Sequence, residues 1–201
     1  MSEAIIRQSP LVERMPPPGP STAESEAGDV VLRERPRYGY INLRGAGGDS
    51  TFLDAVAGEI GCDLPTEPNT VVSGERFVAI WLGPDEWYLR TAPDEAADLA
   101  ERLESALAGQ HAAINPLGDG LATFALEGPN AREVLEKGCT LDLHPRVFAA
   151  GQCAQTLLTK AAVVLMPTAR GYEVIVRRSF ADYLFVWLTD AADEFILTIT
   201  E

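Results

Sequence analysis

The chain has 201 residues, of which 46% are hydrophobic and 23% are charged, the composition of a folded globular protein. Its formal net charge of −14 would repel nucleic-acid phosphates, and no apolar run approaches the roughly 18 residues of a membrane-spanning helix, so neither a nucleic acid nor a membrane is an expected partner. Three cysteines cannot all pair in disulfides, which predicts reduced thiols and a cytoplasmic protein.

Residues 1–35 are predicted to form an extended, proline-rich arm that is separate from the rest of the chain. Ser, Glu and Gly fill much of this segment. Helical or strand periodicity is interrupted by Pro10, Pro16, Pro17, Pro18 and Pro20. The segment lacks the apolar centre of a secretory signal, so none is expected. The segment is predicted to be either a plain tail or an arm that becomes ordered on a partner, and its short apolar groups at 5–6 and 11–12 suit an arm that docks at a few points.

Residues 36–201 are predicted to form a single domain built from two similar halves, at about 36–110 and 111–201. The first half contains INLRGAGGDSTFLDAVAGEIGCDLP (41–65), and the second contains FALEGPNAREVLEKGCTLDLHP (124–145). Each sequence begins with a strand-like alternation that ends in glycine, continues with a helix and reaches a Gly-Cys pair. Such a repeat indicates a duplicated supersecondary unit.

The helix of the first repeat has clear start and stop signals. Ser50 is predicted to cap its beginning, and Leu53, Val56 and Ile60 lie near one face. Gly61 follows the last apolar residue, where a glycine adopts the left-handed conformation at little cost. The sequence therefore predicts a helix that ends at this glycine.

The helix of the second repeat has corresponding signals. Pro129 suits the first helical position, and Val134 and Leu135 are expected to face inward. Gly138 precedes Cys139 as Gly61 precedes Cys62, so the same left-handed stop is predicted. Both glycines are accordingly interpreted as geometric features without a catalytic role.

Each half continues with a predicted hairpin and a helix. Residues 76–91 and 162–178 are typical of two strands around a turn, and further strands are predicted at 111–118 and 153–160. Residues 93–108 carry leucines four apart, which indicates an amphipathic helix. Ser179 is predicted to cap a helix at 180–188 that is apolar nearly all round and therefore well buried. The result is an α+β fold of duplicated β-α-β-β-α units with mainly antiparallel sheet.

The most reactive side chains are concentrated in GCTLDLHPRVFAAGQCAQT (138–156). Cys139, His144 and Cys153 have four and eight intervening residues, which does not match the paired spacing of a structural zinc site. A Cys–His nucleophile would need a third group, for which Asp142 is the candidate. The favoured interpretation is that both cysteines are small buried residues. No catalytic, cofactor-binding or metal-binding residue is assigned.

A longer pattern within the same region points to a family. LEGPNAREVLEKGCTLDLHPRVFAAGQCAQTLLTKAAVVLMP, followed by YEVIVRRSFADYLFVWL, resembles the gamma subunits of bacterial heterotetrameric sarcosine oxidases. The first-half GPDEWYLR and the SPL at 9–11 are also similar to this family. The resemblance extends over about residues 38–195, and its most specific block is 128–156.

The resemblance implies a fold similar to the folate-binding domain of aminomethyltransferase. It implies a complex that oxidises sarcosine to glycine, passes electrons through FAD and FMN to oxygen, and transfers the one-carbon unit to tetrahydrofolate. The flavin, NAD and folate sites of the family are attributed to the alpha and beta subunits, and a zinc site to the small delta subunit. This chain is then expected to be a non-catalytic structural subunit that binds no cofactor itself.

Two alternatives remain open. A similar subunit occurs in N-methylglutamate dehydrogenase, and this chain does not distinguish the two assemblies, since amine specificity would reside in another polypeptide. A folate-binding protein similar to aminomethyltransferase would need a carboxylate to hold the pterin, and Asp119 and Glu127 are the candidates.

One part of the segment 138–156 has no counterpart in the first half of the chain. The sequence DLHP (142–145) is only partly matched by DLP (63–65), and RVFAAGQ (146–152) is unmatched. Because the duplicated unit does not account for this insertion, the insertion is predicted to face a partner subunit. The candidate interface residues are Asp142, His144, Pro145, Arg146, Phe148 and Gln152.

Overall fold

The computed structural model describes residues 9–12, 14, 28–35 and 37–200. The helices in these ranges are α1 (Ser50–Ile60), α2 (Ala96–Ala106), α3 (Ala131–Glu136) and α4 (Ala181–Ala191). The strands are β1 (Val30–Glu34), β2 (Gly39–Arg44), β3 (Val71–Ser73), β4 (Val78–Gly83), β5 (Glu86–Thr91), β6 (Ala113–Pro116), β7 (Leu121–Glu127), β8 (Ala154–Leu158), β9 (Ala161–Pro167), β10 (Gly171–Arg177) and β11 (Leu197–Thr200).

The strands form two sheets with equivalent orders. The first sheet is β3-β4-β5-β2-β6, and the second is β8-β9-β10-β7-β1 with β11 added at its edge. Among the strand pairs in the described ranges, β1–β11 is parallel and the others are antiparallel. The predicted α+β class with mainly antiparallel sheet is confirmed.

The two halves exchange one strand each. β1 precedes β2 in the chain but pairs with β7 of the second sheet, and β6 precedes β7 but pairs with β2 of the first sheet. The predicted boundary near residue 110 therefore does not separate the sheets, because β6 comes after it. Likewise, β1 lies inside the predicted arm of 1–35 but forms part of the folded body. This exchange ties the two halves together through backbone hydrogen bonds.

The chain packs as four layers, with the sheets in the middle. Helices α1 and α2 cover the first sheet through a core that includes Ile41, Trp87 and Leu103. Helices α3 and α4 cover the second sheet through a separate core that includes Phe124 and Leu188. Between the sheets lies a third, smaller apolar layer, formed by Tyr40, Ile80, Leu82, Cys153, Val164, Met166 and Ile175. Each sheet is thus buried on both faces, which explains its nearly continuous apolar strands.

The helices α1 and α3 do not begin where their sequence signals predict. The N-cap of α1 is Asp49, whose carboxylate accepts a hydrogen bond from the Thr51 backbone N–H at 2.8 Å, and Ser50 is already helical. Helix α3 begins after an Asn130 cap, so Pro129 precedes the helix and does not occupy its first position. The inward faces are confirmed, since Val56 of α1 and Val134 and Leu135 of α3 are fully buried.

The prediction for α4 is wrong in two respects. Ser179 belongs to a short 3-10 turn (Arg178–Phe180), and the helix has no side-chain cap. The helix is also not buried all round, because Phe180, Tyr183 and Val186 remain 40%, 38% and 43% exposed. Only the face that carries residues such as Leu184 packs on the second sheet. Apolar composition alone therefore overestimated its burial.

The two Gly-Cys pairs have different structures. Gly61 has a φ of 69° and a backbone N–H bonded to the Ala57 carbonyl, so the predicted left-handed stop is confirmed. Gly138 does not have a left-handed backbone, and α3 ends in a right-handed Lys137. A Cβ on Gly138 would lie 2.5 Å from Trp187 and 2.6 Å from Thr159. The second glycine is required for close packing, not for its conformation.

The substitution Gly138→Ala is accordingly expected to destabilise the chain by about 1–3 kcal/mol, because the added methyl group overpacks the contact with Trp187. Equilibrium urea unfolding of the purified chain measures this change. Gly58→Ala is the matched control, since a Cβ there meets nothing within 4 Å inside α1, and it should stabilise by about 0.5–1 kcal/mol. Equal effects at the two glycines would contradict the packing argument.

The described part of the N-terminal segment contacts the second half. Leu11 is completely buried in the core beneath α4, and the Ser9 hydroxyl donates to the Glu34 carboxylate. Arg14 forms an ion pair with Asp182 of α4. The predicted apolar group at 11–12 therefore has a docking point within the chain itself. The other predicted features of the arm, including Ile5–Ile6 and the prolines at 16–20, lie outside the described residues.

Candidate functional site

The predicted interface segment links the two halves. After α3 it passes under the second core, where Leu143 and Phe148 are buried. It then meets the start of β3: the Val71 N–H donates to the Gly151 carbonyl at 2.9 Å, and the Cys153 N–H donates to the Asn69 carbonyl at 2.8 Å. The insertion that lacks a first-half counterpart thus has an internal role in joining the halves.

Three of the predicted interface side chains shape the segment itself. The Asp142 carboxylate accepts from the His144 N–H at 2.9 Å, and His144 Nδ1 accepts from the Arg146 N–H at 3.2 Å. Gln152 Oε1 accepts from the Ala149 N–H at 2.7 Å. Such local bonds from a side chain to the backbone are typical of a defined turn. The segment therefore presents a fixed shape to its surroundings.

The outer surface of the segment consists of few residues. Pro145 and Arg146 are exposed, and Val147 is 59% exposed. Phe148 is only 6% exposed and packs in the chain's own core, which leaves almost none of its ring for a partner. The surface available for contact therefore includes the turn at 145–147, Asp142, His144 and the exposed residues 149–151.

The two cysteines of the segment occupy different cores. Cys139 is buried in the core beneath α3 and α4, and Cys153 lies in the layer between the sheets. The Cys153 Sγ lies 3.5 and 3.3 Å from the carbonyl oxygens of Thr70 and Trp81, either of which can accept its S–H. His144 lies on the exposed turn. The structure thus does not bring Cys139, His144 and Cys153 together as a nucleophile or ligand set. Within the described ranges, no group of three or more His, Cys, Asp or Glu side chains is arranged to hold a metal ion.

Burial makes Cys153 a poor nucleophile, because removal from water disfavours the thiolate and raises the pKa of its thiol to about 11. A thiol with that pKa is ionised in about one molecule in a thousand at about pH 8. We therefore expect iodoacetamide to leave Cys153 unmodified in the folded chain and to modify Cys62, which is only partly buried, first. Peptide mass spectrometry before and after unfolding in urea measures both reactions. Rapid alkylation of Cys153 in the native chain would contradict its placement.

A cluster of ionic side chains lies at one end of the layer between the sheets. Glu127 is 4% exposed and has Arg33, Arg35 and Arg170 within 3.5, 3.1 and 3.7 Å of its carboxylate. This carboxylate is therefore surrounded by positive charge from β1 and from the β9–β10 turn. A buried carboxylate is retained in a fold when ion pairs such as these offset the cost of removing it from water.

The second acid of the cluster joins the two sheets directly. Glu173 of β10 is 8% exposed and accepts a hydrogen bond from Arg90 of β5 at 2.5 Å. The Arg90 guanidinium also lies 4.6 Å from the centre of the Tyr38 ring, a cation–π contact. Nearby, the Tyr40 hydroxyl contacts Thr123 at 2.9 Å, and burial raises the pKa of Tyr40 to about 12. These contacts fix the relative position of the halves.

Sequence reasoning missed this cluster, although one signal was available. Glu173 interrupts the apolar interior of β10 (GYEVIVR), and a charged residue inside such a strand indicates a buried partner. Nothing in the sequence identified that partner, since Arg90 lies in the other half. The pairing depends on how the two sheets face each other.

The two carboxylates that are candidates for binding folate, Glu127 and Asp119, have different surroundings. Glu127 is surrounded by the three arginines, so its carboxylate is not open to a pterin. Asp119 lies in the turn before β7, 39% exposed and 4.0 Å from Arg37. A cavity of about 170 Å³ does open next to Arg90 and Glu173, with Ser73, Gln152 and Thr168 among its lining residues. Neither candidate acid lines it.

Within the described ranges, no helix combines the length and the apolar character that crossing a membrane requires.

Comparison with known proteins agrees with the resemblance inferred from the motif. The chain matches the model of the sarcosine oxidase, gamma subunit family over residues 44–194. It is 36% identical over 173 residues to the sarcosine oxidase subunit gamma of Corynebacterium sp. (strain P-1), which covers 85% of this chain and 84% of that protein. The expected family resemblance is thereby confirmed.

The fold is similar to that of two solved structures. One is a chain of the heterotetrameric sarcosine oxidase from Corynebacterium sp. U-96 in complex with pyrrole 2-carboxylate, with a TM-score of 0.81, 30% identity, and coverage of 94% of this chain and 95% of that chain. The other is the glycine cleavage system aminomethyltransferase of Bartonella henselae, with a TM-score of 0.64, 15% identity, and coverage of 88% of this chain and 49% of that chain. The second similarity concerns the fold alone, and it confirms the expected aminomethyltransferase-like architecture. Because the matches in sequence and structure span most of the chain, the chain belongs to the sarcosine oxidase gamma subunit family.

Proposed function

We propose that this chain is a non-catalytic structural subunit of a heterotetrameric sarcosine oxidase. The observation that carries the proposal is the end-to-end similarity to one chain of a solved heterotetrameric oxidase, at a TM-score of 0.81 and with 95% of that chain covered. The similarity covers 94% of this chain and 95% of that chain, so it is not confined to one part of either. The relative is one chain of an assembly, and we propose the same role for this chain.

The chemistry is proposed to reside in partner subunits. Alpha, beta and delta subunits would hold FAD, FMN, NAD, tetrahydrofolate and zinc, and they would oxidise sarcosine to glycine in the cytoplasm. The use of Cys139, Cys153 and Glu127 within this chain's own packing and ion pairs supports a structural role. The function proposed for this chain is to bind and position other subunits.

The exposed turn at 145–147 is proposed as one contact with a partner. Its backbone is held by Asp142, His144 and Gln152, so its shape is set before any partner binds. Arg146 also provides a positive charge on a chain whose net charge is −14. It would therefore suit an acidic group on the facing subunit.

Co-expression tests the proposed function. The tagged chain is produced with the other subunits of its oxidase, and the purified material is assayed for flavin absorbance and sarcosine oxidation. We expect the tag to recover a yellow, active complex and the chain alone to be colourless and inactive. Recovery of the chain only as a lone monomer would contradict the proposal.

Two further measurements separate the alternatives. Comparing sarcosine with N-methylglutamate as the substrate of the recovered complex distinguishes an oxidase subunit from the equivalent dehydrogenase subunit. Calorimetric titration of the chain with tetrahydrofolate tests direct folate binding, for which the aminomethyltransferase fold is the motivating observation. We expect no heat of binding, because Glu127 is enclosed by arginines. A stoichiometric heat would instead support the folate-binding alternative.

A further inference from the structure

Helices α2 and α4 occupy equivalent places in the two halves. Each has 11 residues, follows the last strand of the central hairpin, and begins after a short 3-10 turn. The outward surface of α2 is polar and carries Asp98, Glu101, Arg102, Glu104 and Ser105. This is the pattern expected of a helix that covers a core on one side and faces water on the other.

The outward surface of α4 is different. Phe180, which caps the start of α4, and Tyr183 and Val186 within the helix are spaced three residues apart, so they lie on one side of it, and they are 40%, 38% and 43% exposed. We call these three residues the α4 face. They do not contribute to the core beneath α4, which residues such as Leu184 and Leu188 already fill. Since α2 performs the same packing role with a polar surface, the fold does not require the α4 face to be apolar.

The α4 face is held in a fixed arrangement. The rings of Phe180 and Tyr183 make an edge contact, with centres 6.5 Å apart. The Tyr183 hydroxyl and the Thr159 hydroxyl are 2.7 Å apart, which orients the ring from the β8–β9 turn. Aromatic rings that are already positioned lose little conformational entropy on binding, and such rings are enriched at the centres of protein interfaces.

The N-terminal segment adjoins the same surface. Leu11 packs in the core beneath α4, and Arg14 pairs with Asp182 on the helix. Asp182 is next to the α4 face, and its carboxylate is already paired with Arg14. An apolar surface that covers the face would therefore leave this carboxylate with its partner. Val12, between these two anchors, is 56% exposed and adds further apolar surface.

Charge indicates what kind of surface fits there. Beyond the α4 face, exposed Asp190 lies in the last turn of the helix and exposed Asp193 lies just after it, and the whole chain has a net charge of −14. A second copy of the chain would bring together two molecules that each carry a net charge of −14, which is unfavourable. An apolar surface bordered by Lys and Arg would complement the apolar centre and the acidic end of the helix.

We propose that the α4 face is a docking site for another subunit of the oxidase, which presents an apolar patch bordered by basic side chains. The proposal rests on the proposed function, since it names a surface through which this subunit joins its assembly. Three side chains are too few for a whole interface, so the α4 face is its desolvated centre and the surrounding surface completes it.

Charge insertion tests the docking site in the co-expressed complex. The double variant Tyr183→Glu, Val186→Glu places two carboxylates in the centre of the interface. The matched control, Ala97→Glu with Ser105→Glu, places two carboxylates on exposed positions of α2. We expect the α4 variant to recover at least about tenfold less flavoprotein per tagged chain than the wild type, and the α2 control to recover the wild-type amount.

A milder variant distinguishes a loss of docking from a loss of folding. Tyr183→Ala with Val186→Ala removes contact area without adding charge, and the soluble yield and protease resistance of the tagged chain report folding in each case. If the α4 variants stay folded and recover wild-type amounts of flavoprotein, or if both helices show equal losses, the docking site is refuted. Self-association of the chain through the α4 face would refute it as well. If the wild-type chain itself recovers no flavoprotein, the proposed function fails instead.

Discussion

Glu173→Leu is expected to lower the free energy of unfolding by about 3–5 kcal/mol, because it leaves the buried Arg90 guanidinium without its carboxylate. The side chains of both residues are shielded from water, at 10% and 14% exposure, so solvent cannot replace the lost partner. The pair also joins β5 of the first sheet to β10 of the second sheet. Urea denaturation of the purified chain measures the loss.

Two variants provide the controls for this expectation. Glu59→Leu removes an acid from the more exposed pair with Arg102, and it should cost no more than about 1 kcal/mol. The double variant Arg90→Met, Glu173→Leu removes both charges and should recover much of the lost stability, since the unpaired buried charge causes most of the damage. A double variant as unstable as Glu173→Leu alone would show that this explanation is wrong.

Leu11→Ala is expected to cost about 2–5 kcal/mol, because the leucine is 0% exposed and its removal leaves a cavity in the second core. The effect would be unusual for a residue from a segment whose sequence indicates a tail. It would show that the N-terminal segment stabilises the chain even without a partner. Thermal or urea unfolding of the purified chain provides the measurement.

The adjacent residue is the natural control. Val12 is 56% exposed, so Val12→Ala should change the stability by less than about 0.5 kcal/mol. If Leu11→Ala has an equally small effect, the leucine does not occupy the core in solution, and a role limited to partner binding would become the better interpretation.

Local patterns predicted the hairpins well. The hairpin predicted at 76–91 is β4–β5, which turns between Gly83 and Glu86, and the hairpin predicted at 162–178 is β9–β10, which turns between Pro167 and Gly171. Both depend on short-range signals, namely apolar alternation and turn residues, which act within a few positions along the chain. The same reasoning correctly identified the helical stop at Gly61, whose left-handed φ is a local property.

Local patterns failed where another element decides the outcome. Gly138 has the same sequence neighbour as Gly61, yet its role is to admit Trp187 of α4, a residue about fifty positions away. The exposed side of α4 was missed for a related reason. Its apolar residues on both sides suggest full burial, but only one side of the helix meets the second sheet.

The sequence by itself determined the α+β class, the duplication, the main hairpins and the family, because periodicity and a long motif are properties of the linear chain. The tertiary structure decided the exchange of β1 and β6, the pairing of Arg90 with Glu173, and the separation of Cys139 from Cys153. Each of these joins positions that are far apart in sequence or depends on which face of a sheet a residue occupies. Such relations exist only once the two sheets have packed together, since long-range contacts are set by packing and not by neighbours in the chain.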